Sequence, residues 1–415
     1  MRKLTRYIAG SVALGLMAGT KCFGLGFANP DQDARATAQG EAFVAQANTP
    51  SAVYYNPGGL TQITGAELSS GGFVTFRSMS FDGNTSHANI NDPAYTAHIY
   101  GVTDFGFENW RFGLGVNNPF GNASDWGRHT DFKYQITKSS LEVFNFQLAT
   151  AYKFDDHFSL GLTLNVYDSN TELDRLVPFS LLFPGQPDGR FSFKGGGQAV
   201  GATVGLLWTI NEKNSVGLVY HSPFAVDYHG TAVVKNDPTG SLGSSSATAE
   251  INFPQSVAMG YAFRPTKKLT LEVDAQWTDW DTLNTVKLHS PNLAFQTDPG
   301  SQIPFNWMSS WYFETGAQYA LTTNWTARAG YIYSQNSVPN STFSPTLPDN
   351  NRHVFSVGLG YTTGRLTIDF TYQYSMTDDR TIKGSADSNF DGTGDLDGTW
   401  KSNANALMVT STYKF

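Results

Sequence analysis

The chain has little of three things that proteins of 415 residues commonly contain: cysteine, charged residues and long apolar runs. Its single cysteine, Cys22, excludes an intrachain disulfide framework and a zinc site built on several cysteines. Charged residues make up 15% of the chain, against roughly 25% in a typical soluble domain. After residue 24 there is no run of about 18 apolar residues, so the sequence predicts no membrane-spanning helix.

The first 24 residues have the pattern of a secretory signal peptide. Three basic residues within the first six positions precede an apolar stretch at residues 7–19, which is too short to cross a bilayer. We place cleavage after Gly24, and Lys21 directly before Cys22 argues against a lipoprotein. Cleavage would remove four of the 27 basic residues and none of the 35 acidic ones, leaving a net charge of −12. This acidic balance argues against a nucleic-acid partner.

What the chain does contain is alternation of apolar and polar residues with a period of two. Apolar residues occupy every second position from Leu366 to Met376, with polar residues such as Asp369 between them. The same alternation covers residues 158–166 and 269–277. Strands of this kind fit a secreted β-sandwich or a soluble barrel. They also fit a membrane barrel, whose apolar face is outside.

Loop lengths distinguish these architectures, because an outer-membrane barrel has short turns at one end and long loops at the other. The predicted strands are joined alternately by short turns and long loops, whereas a sandwich has no reason to sort its connections in this way. We therefore predict an all-β fold. It is a fourteen-stranded antiparallel transmembrane barrel over residues 66–415, in the bacterial outer membrane, with both termini periplasmic. The predicted strands are 66–78, 97–107, 110–117, 140–154, 158–172, 190–210, 215–234, 246–263, 269–288, 307–320, 325–335, 352–362, 366–382 and 400–415.

Residues 25–65 precede the first predicted strand and are a candidate plug, since a barrel of this size has room in its lumen. The alternative is a disordered periplasmic tail. Two tyrosines directly before the turn-forming residues 56–59, Asn-Pro-Gly-Gly, argue for an ordered segment.

Several segments resemble the FadL family, the outer-membrane long-chain fatty-acid transporters with their aromatic-hydrocarbon relatives. The resemblance extends from about residue 25 to the end of the chain. It implies a fourteen-stranded barrel, in agreement with the loop pattern, and a hatch formed by residues 25–65 inside the lumen. The segments are SAVYYNPGGLT at 51–61, GVNNPFG at 115–121 followed by Trp126, FPQSVAMGY at 253–261, WTDW at 277–280 and FSPTLPDNNRHVFSVGLGY at 343–361.

The resemblance also implies roles for parts of the hatch. The hatch turn corresponds to Asn56, Pro57 and Gly58, where the family more commonly has alanine in the third place. Leu25 and Phe27, at the start of the mature chain, would lie near the ligand.

The same resemblance implies that the third strand, predicted at residues 110–117, is kinked and leaves a lateral gap in the wall beside the hatch. Gly113 and Gly115 would weaken the pairing of this strand, because glycine has no side chain to pack.

Two predicted loops are apolar enough to hold a hydrophobic ligand, since an exposed apolar patch usually marks a binding site. The alternative is that these loops pack against each other as a lid. The ligand-binding candidates are Pro119, Phe120, Trp126, Phe179, Leu181, Leu182 and Phe183. For a carboxylate, the candidate cations are Arg328, Lys194 and Arg352, each of which could equally pair with an acidic side chain.

The predicted function is the transport of hydrophobic compounds, most specifically long-chain fatty acids, with hatch-gated lateral release. The alternatives are uptake of aromatic hydrocarbons by the same route, a diffusion porin for small solutes, and an adhesin. The predicted partners are the hydrophobic ligand, outer-membrane lipid and lipopolysaccharide, around a monomer.

Enzymatic activity is not predicted, because the sequence has no P-loop, His-Glu-x-x-His or nucleophile-elbow motif. No cofactor is predicted. A weak calcium candidate is the partial EF-hand match at Asp387, Asn389 and Asp391, in which Gly398 occupies the place of the final acidic ligand.

Overall fold

The computed structural model describes residues 26–296 and 299–415, most of which are in antiparallel strands. The predicted signal peptide, residues 1–24, lies outside the described residues, and so does Leu25. The strands are β1 Ala66–Gly83, β2 His87–Ile90, β3 Pro93–Thr103, β4 Trp110–Asp125, β5 Lys138–Lys153, β6 Phe158–Val177, β7 Gly189–Asn211, β8 Asn214–His221, β9 Phe224–Lys235, β10 Ser244–Phe253, β11 Ser256–Thr266, β12 Leu269–Thr278, β13 Thr285–His289, β14 Gln302–Pro304, β15 Ser310–Ala320, β16 Trp325–Ser334, β17 Arg352–Thr363, β18 Leu366–Thr377, β19 Arg380–Ile382 and β20 Gly398–Lys414.

The strands form a closed antiparallel barrel, because β1 pairs with β3 on one side and with β20 on the other. Across the described residues the wall has fourteen strands, which confirms the predicted architecture. Five of these wall strands are interrupted once, giving the segment pairs β2–β3, β8–β9, β10–β11, β12–β13 and β18–β19. Strand β13 pairs with β10 in the wall and also with the short strand β14, which lies in the connection to β15.

The two faces of the wall are inverted relative to a soluble protein, as in a membrane barrel. On β6 the apolar side chains of Phe158, Leu160, Leu162, Leu164 and Val166 are all exposed on the outside. The polar residues between them, such as Asn165, are buried on the inside. From Phe158 to Val166 this apolar belt covers roughly 26 Å along the strand, at about 3.3 Å per residue. No helix within the described residues is long and apolar enough to cross a membrane.

The third wall strand is longer than predicted. It was expected to end at Asn117, but β4 continues to Asp125 and pairs with β5 over its whole length, with an irregularity between Asn117 and Phe120. Pro119 and Phe120 therefore lie in the wall and not in a loop. The sequence hides this continuation because Pro119 lacks an N–H group and the bulge interrupts the alternation.

Residues 26–65 lie inside the barrel and are almost entirely buried. This hatch contains two short helices, α1 Ala34–Thr37 and α2 Ala52–Tyr55, followed by a 3-10 helix at Pro57–Gln62. The loops contain two further short helices among the described residues, α3 Phe179–Leu182 and α4 Leu293–Gln296, and three short 3-10 turns at Trp280–Thr282, Pro299–Ser301 and Asn340–Thr342.

The wall carries glycines on its inner face where the hatch runs against it. A Cβ atom at Gly217 would collide with the backbone of Val44 and Ala45, and a Cβ atom at Gly330 would collide with the backbone of Gln39. Because these contacts are with backbone or with short side chains, no rotamer change could relieve them. The hatch can therefore lie close to the wall because these wall positions have no side chain. The glycines are Gly113, Gly161, Gly205, Gly217, Gly260, Gly316, Gly330 and Gly358.

Candidate functional site

The hatch turn is fixed to the wall by Asn56. Its carboxamide nitrogen donates to the carbonyl of Val44 at 2.8 Å and to the carbonyl of Leu206 on β7 at 3.0 Å. Its carboxamide oxygen accepts from the Gly58 nitrogen at 3.0 Å. Pro57 provides the first residue of the 3-10 helix, where its missing N–H group costs nothing. One buried side chain therefore connects the turn, the preceding hatch loop and the barrel.

Two acidic side chains of β12 hold the middle of the hatch. Asp274 accepts from the backbone nitrogens of Phe43 and Val44, both at 2.9 Å, and Glu272 accepts from the Ala45 nitrogen at 2.6 Å. These three N–H groups belong to a loop and have no ladder partner. The acidic side chains of the wall accept these three hydrogen bonds, so they hold this part of the hatch in place.

The wall has an interruption beside the hatch. Pairing between β3 and β4 runs only from Thr103 opposite Phe112 to Ile99 opposite Val116. The candidates Gly113 and Gly115 both lie within this paired part, and the ladder ends one residue beyond Gly115. From Asn117 onward, β4 keeps its partner β5 and leaves the side of β3.

The freed edge of β4 is covered by the first residues of the hatch, 26–29, which we call the hatch tip. Ala28 forms a bridge with Phe120, the Asn29 nitrogen donates to the Pro119 carbonyl at 2.7 Å, and the Gly121 nitrogen donates to the Phe27 carbonyl at 2.9 Å. The Asn29 side chain donates to the Asn118 carbonyl at 2.9 Å. The hatch tip thus pairs along the edge of the wall interruption.

Phe27 places an aromatic ring at the centre of the lumen. Its ring centroid lies 4.8 Å from that of Trp280, 5.3 Å from that of Trp307 and 5.5 Å from that of Phe253. Phe120 contacts Phe253 in turn, at 5.1 Å. Together these rings form an aromatic cluster inside the lumen, which we call the partition.

Two cavities adjoin this partition, since Phe27 lines one and Phe120 lines the other. The first cavity, which Phe27 lines, has a volume of about 110 Å³. Its walls are almost wholly apolar and include Leu141, Leu173, Phe191, Phe193, Ile251, Leu288, Ile303 and Phe305. The second measures about 60 Å³, is lined by Phe120 and Ala28, and is more polar because Asn145, Gln147, Asn165 and His221 face it.

Arg175 is a cation beside the apolar cavity that was not among the residues predicted from the sequence. Its guanidinium carbon lies 4.8 Å from the centroid of the Phe191 ring and packs against Gly300, and both of these residues line the cavity. The side chain is 6% exposed. Continuing the alternation of β6 beyond Val166 places odd-numbered residues inside, and this signal could have identified Arg175.

The three predicted cations lie elsewhere. Arg328 forms a buried ion pair with Asp369 at 2.6 Å, and Asp369 also pairs with Arg35 of the hatch. Arg352 pairs with Asp349 at 3.2 Å. Lys194 points outward from β7 and pairs with Glu172 at 2.7 Å.

The predicted ligand-binding loops are partly a lid. Trp126 is buried and donates from its indole nitrogen to the Pro345 carbonyl at 2.9 Å, and Phe179 is buried against Gly189. For these two residues the structure agrees with the alternative, in which the long loops pack on one another as a lid. Leu181, Leu182 and Phe183 remain exposed, by 43%, 63% and 39%.

The side chains of the predicted calcium site already make hydrogen bonds to backbone groups of their own loop and of a neighbouring one. Asp387 accepts from the backbone nitrogens of Asp391 and Gly392, and Asp391 accepts from the Thr393 nitrogen. The Asn389 side chain donates to the backbone of Asp131. Within residues 26–296 and 299–415, no three His, Cys, Asp or Glu side chains converge as a metal site.

Comparisons with known proteins agree with this geometry. A sequence model of the family described as outer membrane protein transport protein (OMPP1/FadL/TodX) matches residues 16–415. The long-chain fatty acid transport protein of Escherichia coli O6:H1 is 22% identical over 320 residues, which cover 67% of this chain and 70% of the relative.

Solved structures share the fold. The crystal structure of a Pseudomonas aeruginosa FadL homologue has a TM-score of 0.83 at 20% identity, covering 94% of this chain and 100% of that one. The Pseudomonas putida toluene transporter TodX has a TM-score of 0.72 at 16% identity, again covering 94% and 100%. At these identities the likeness establishes the barrel with its lumenal segment.

Proposed function

The chain belongs to the OMPP1/FadL/TodX family of outer membrane transport proteins, and from this premise we propose that its substrate is a long-chain fatty acid. The members of this family transport hydrophobic compounds across the outer membrane. The observation that carries the choice of substrate is the position of Arg175, a buried cation at the edge of the apolar cavity.

The cavity and Arg175 suit the two ends of a fatty acid. Each methylene group that leaves water for an apolar site contributes about 0.8 kcal/mol. A carboxylate buried without a partner would cost several kcal/mol, so an apolar cavity alone would favour ligands without a charged head. An ion pair with the guanidinium offsets this cost and can be bidentate.

The hatch tip controls the passage out of the cavity. Phe27 separates the apolar cavity from the second cavity, and the same four residues cover the edge of β4. A displacement of the tip would therefore open the partition and the wall interruption together. The ligand leaves sideways between the start of β3 and residues 117–125 of β4, and enters the bilayer without crossing water.

The orientation follows from the loops. The long loops face the outside, both termini face the periplasm, and the exposed side chains of Leu181, Leu182 and Phe183 form a landing patch for the ligand. The predicted monomeric state and the lipid partners belong to the same proposal.

A second candidate substrate is a monoaromatic hydrocarbon. A monoaromatic ring could stack on, or pack edge to face against, the aromatic side chains of the cavity. These are Phe191, Phe193, Phe305 and Trp307. The toluene transporter TodX shares the fold. This substrate would have no use for Arg175, and the two candidates can therefore be separated by one substitution.

The test is uptake of labelled oleate and labelled toluene by cells that lack their own transporter and express this protein or a variant. Arg175→Ala should raise the KM for oleate by about tenfold or more, because a hydrogen bond to a charged group is worth about 1.5–3 kcal/mol. Arg175→Lys should restore part of the loss, and toluene entry should not change. The matched control is Lys194→Ala, which removes a cation from the outer face of the neighbouring strand and should leave oleate uptake intact.

Other outcomes select other functions. Entry of toluene but not oleate, with the barrel inserted, identifies the hydrocarbon as substrate. Equal oleate uptake by the wild type and Arg175→Ala removes Arg175 from the site. A large ionic conductance of the wild type in planar bilayers, without saturable uptake, would indicate a diffusion porin.

A further inference from the structure

The outer face of the barrel carries a basic cluster above the apolar belt, formed by Lys138 on β5, Lys194 and Arg190 on β7, and Lys235 at the end of β9. All four side chains point outward, on the same face of their strands as the apolar belt. Two acidic side chains of β6, Glu172 and Asp174, lie among them, and Asp125 and Glu142 line the part around Lys138. In a chain with a net charge of −8, the part of this surface around Arg190, Lys194 and Lys235 has three cations against two carboxylates.

The ion pairs inside the cluster leave part of this charge uncompensated. Glu172 is shared between Lys138 at 2.8 Å and Lys194 at 2.7 Å. Arg190 and Lys235 are direct cross-strand partners and both are exposed. Among the ion pairs of the described residues, neither takes part in one. Like charges directly opposite each other in a sheet are destabilising, and an anion between them would remove the repulsion.

The cluster surrounds a recess. Arg190, Lys194 and Lys235 line a groove of about 450 Å³, and a second groove of about 560 Å³ continues from it past Lys138 and His229. Glu172 and Lys194 belong to both grooves, so the two are continuous. A groove of this size accepts a sugar phosphate with several contacts.

The distance of the cluster from the apolar belt shows which layer of the membrane surrounds it. The apolar belt on β6 ends at Val166, and Glu172 follows six residues later, roughly 20 Å along the strand. With a strand tilt of about 40°, this places Glu172 about 15 Å above the hydrocarbon layer, and Arg190 higher still. In the orientation of the proposed function, this level is the sugar region of the outer leaflet.

We propose that Lys138, Arg190, Lys194 and Lys235 bind the phosphate groups of a phosphorylated glycolipid of the outer leaflet. Guanidinium and ammonium groups in a recess are the usual partners of phosphate. The glycolipid stands against the outside of the barrel, on the other face of the wall from Arg175 and the apolar cavity. The site therefore rests on the proposed orientation, and does not depend on the identity of the transported compound.

The experiment uses the full-length barrel, purified in detergent and freed of lipid. Binding of lipopolysaccharide with a phosphorylated inner core is measured by native mass spectrometry and by the shift in melting temperature. The double variant Arg190→Ser/Lys235→Ser should bind about tenfold or more weakly than the wild type, because it loses two charge-assisted contacts. The control variant Lys267→Ser/Lys268→Ser removes two exposed cations from a short turn at the opposite end and should bind like the wild type.

The probes separate the sources of anion. Dephosphorylated lipopolysaccharide should bind the wild type as weakly as it binds the double variant. Full competition by millimolar inorganic phosphate would overturn the proposal in favour of a free-anion site, and competition by oleate would overturn it in favour of a substrate-docking site. Equal binding by the wild type and the double variant, with both showing the folded barrel's heat-modifiable migration, would also overturn it. Oleate uptake by the double variant, measured in parallel, stays at the wild-type level, so a failure here is distinguishable from a failure of the proposed transport function.

Discussion

A methyl group added to the wall at Gly161 should push the hatch away from the barrel. A Cβ atom there would lie 2.5 Å from the Gly58 nitrogen and closer still to the Pro57 carbonyl group. Non-bonded heavy atoms prefer separations of about 3.5–4.0 Å, so the hatch turn would have to move by about 1 Å. Both sides of the contact are backbone, and no side chain can rotate to make room.

The displacement has a calculable cost. A shift of about 1 Å breaks the 3.0 Å hydrogen bond from Asn56 to Leu206 and the contact between Thr61 and Ser159 at 2.8 Å. Each broken bond leaves a buried polar group unpaired, at about 1–3 kcal/mol. We therefore expect Gly161→Ala to weaken hatch docking by about 2–6 kcal/mol, while the strand ladders of the barrel remain intact.

The assay is ionic conductance in planar bilayers together with protease cleavage of residues 26–65. Gly161→Ala should give a steady leak and faster cleavage of the hatch at an unchanged melting temperature of the barrel. The matched control is Gly101→Ala on β3, where a Cβ atom would meet only Leu68 at an ordinary 3.7 Å. If Gly161→Ala is as impermeable to ions and as protected from protease as the control, the wall glycines are not needed to accommodate the hatch.

Two further predictions follow from the hatch and the loops. Burial, and next the nearby Asp31, raise the pKa of Glu41 well above its usual value, so the docked hatch favours the protonated carboxyl and should loosen as pH rises through this raised pKa. Glu41→Gln should weaken that dependence in leak measurements between about pH 5 and 9, while burial also raises the pKa of Asp31 in the hatch, which accounts for part of the remainder. An unchanged pH profile would contradict this assignment. On the landing patch, Leu182→Ser should raise the KM for oleate several-fold, by about 1 kcal/mol of lost apolar contact, without altering barrel stability. Phe179 is buried, so Phe179→Ser should instead lower the stability of the loop. Equal uptake kinetics for Leu182→Ser and the wild type would show that the landing patch does not bind the ligand.

The barrel could be predicted from the sequence because each wall strand presents one face to lipid and one to the lumen. In the run Phe158–Val166, for example, apolar and polar residues alternate without exception. The regular exchange of short turns and long loops along the chain then indicates a membrane barrel. The hatch turn was also recognisable, because Asn56 and Pro57 belong to a turn in any context.

The rest depends on contacts that the sequence does not display. An apolar loop reads the same whether its side chains face solvent, like Leu182, or a neighbouring loop, like Trp126. Arg175 and Asp174 are adjacent, and a shift of one residue in register would exchange which of them faces the lumen. The wall glycines are visible in the sequence, but their use requires knowing that the hatch backbone passes them.

The contacts of the hatch divide it into a part that stays and a part that can move. Residues 39–61 lie against the wall glycines and are held by Asp274, Glu272 and Asn56, so displacing them would expose several buried polar groups at once. The tip has fewer ties: a short pairing with β4, the bond from the Gly26 nitrogen to Asp349 at 3.1 Å, and the rings around Phe27. Opening the tip alone exposes mainly apolar surface, which a hydrophobic ligand in the cavity would cover as it passes. We therefore propose that transport of such ligands needs movement of the hatch tip while the rest of the hatch keeps the lumen closed to ions.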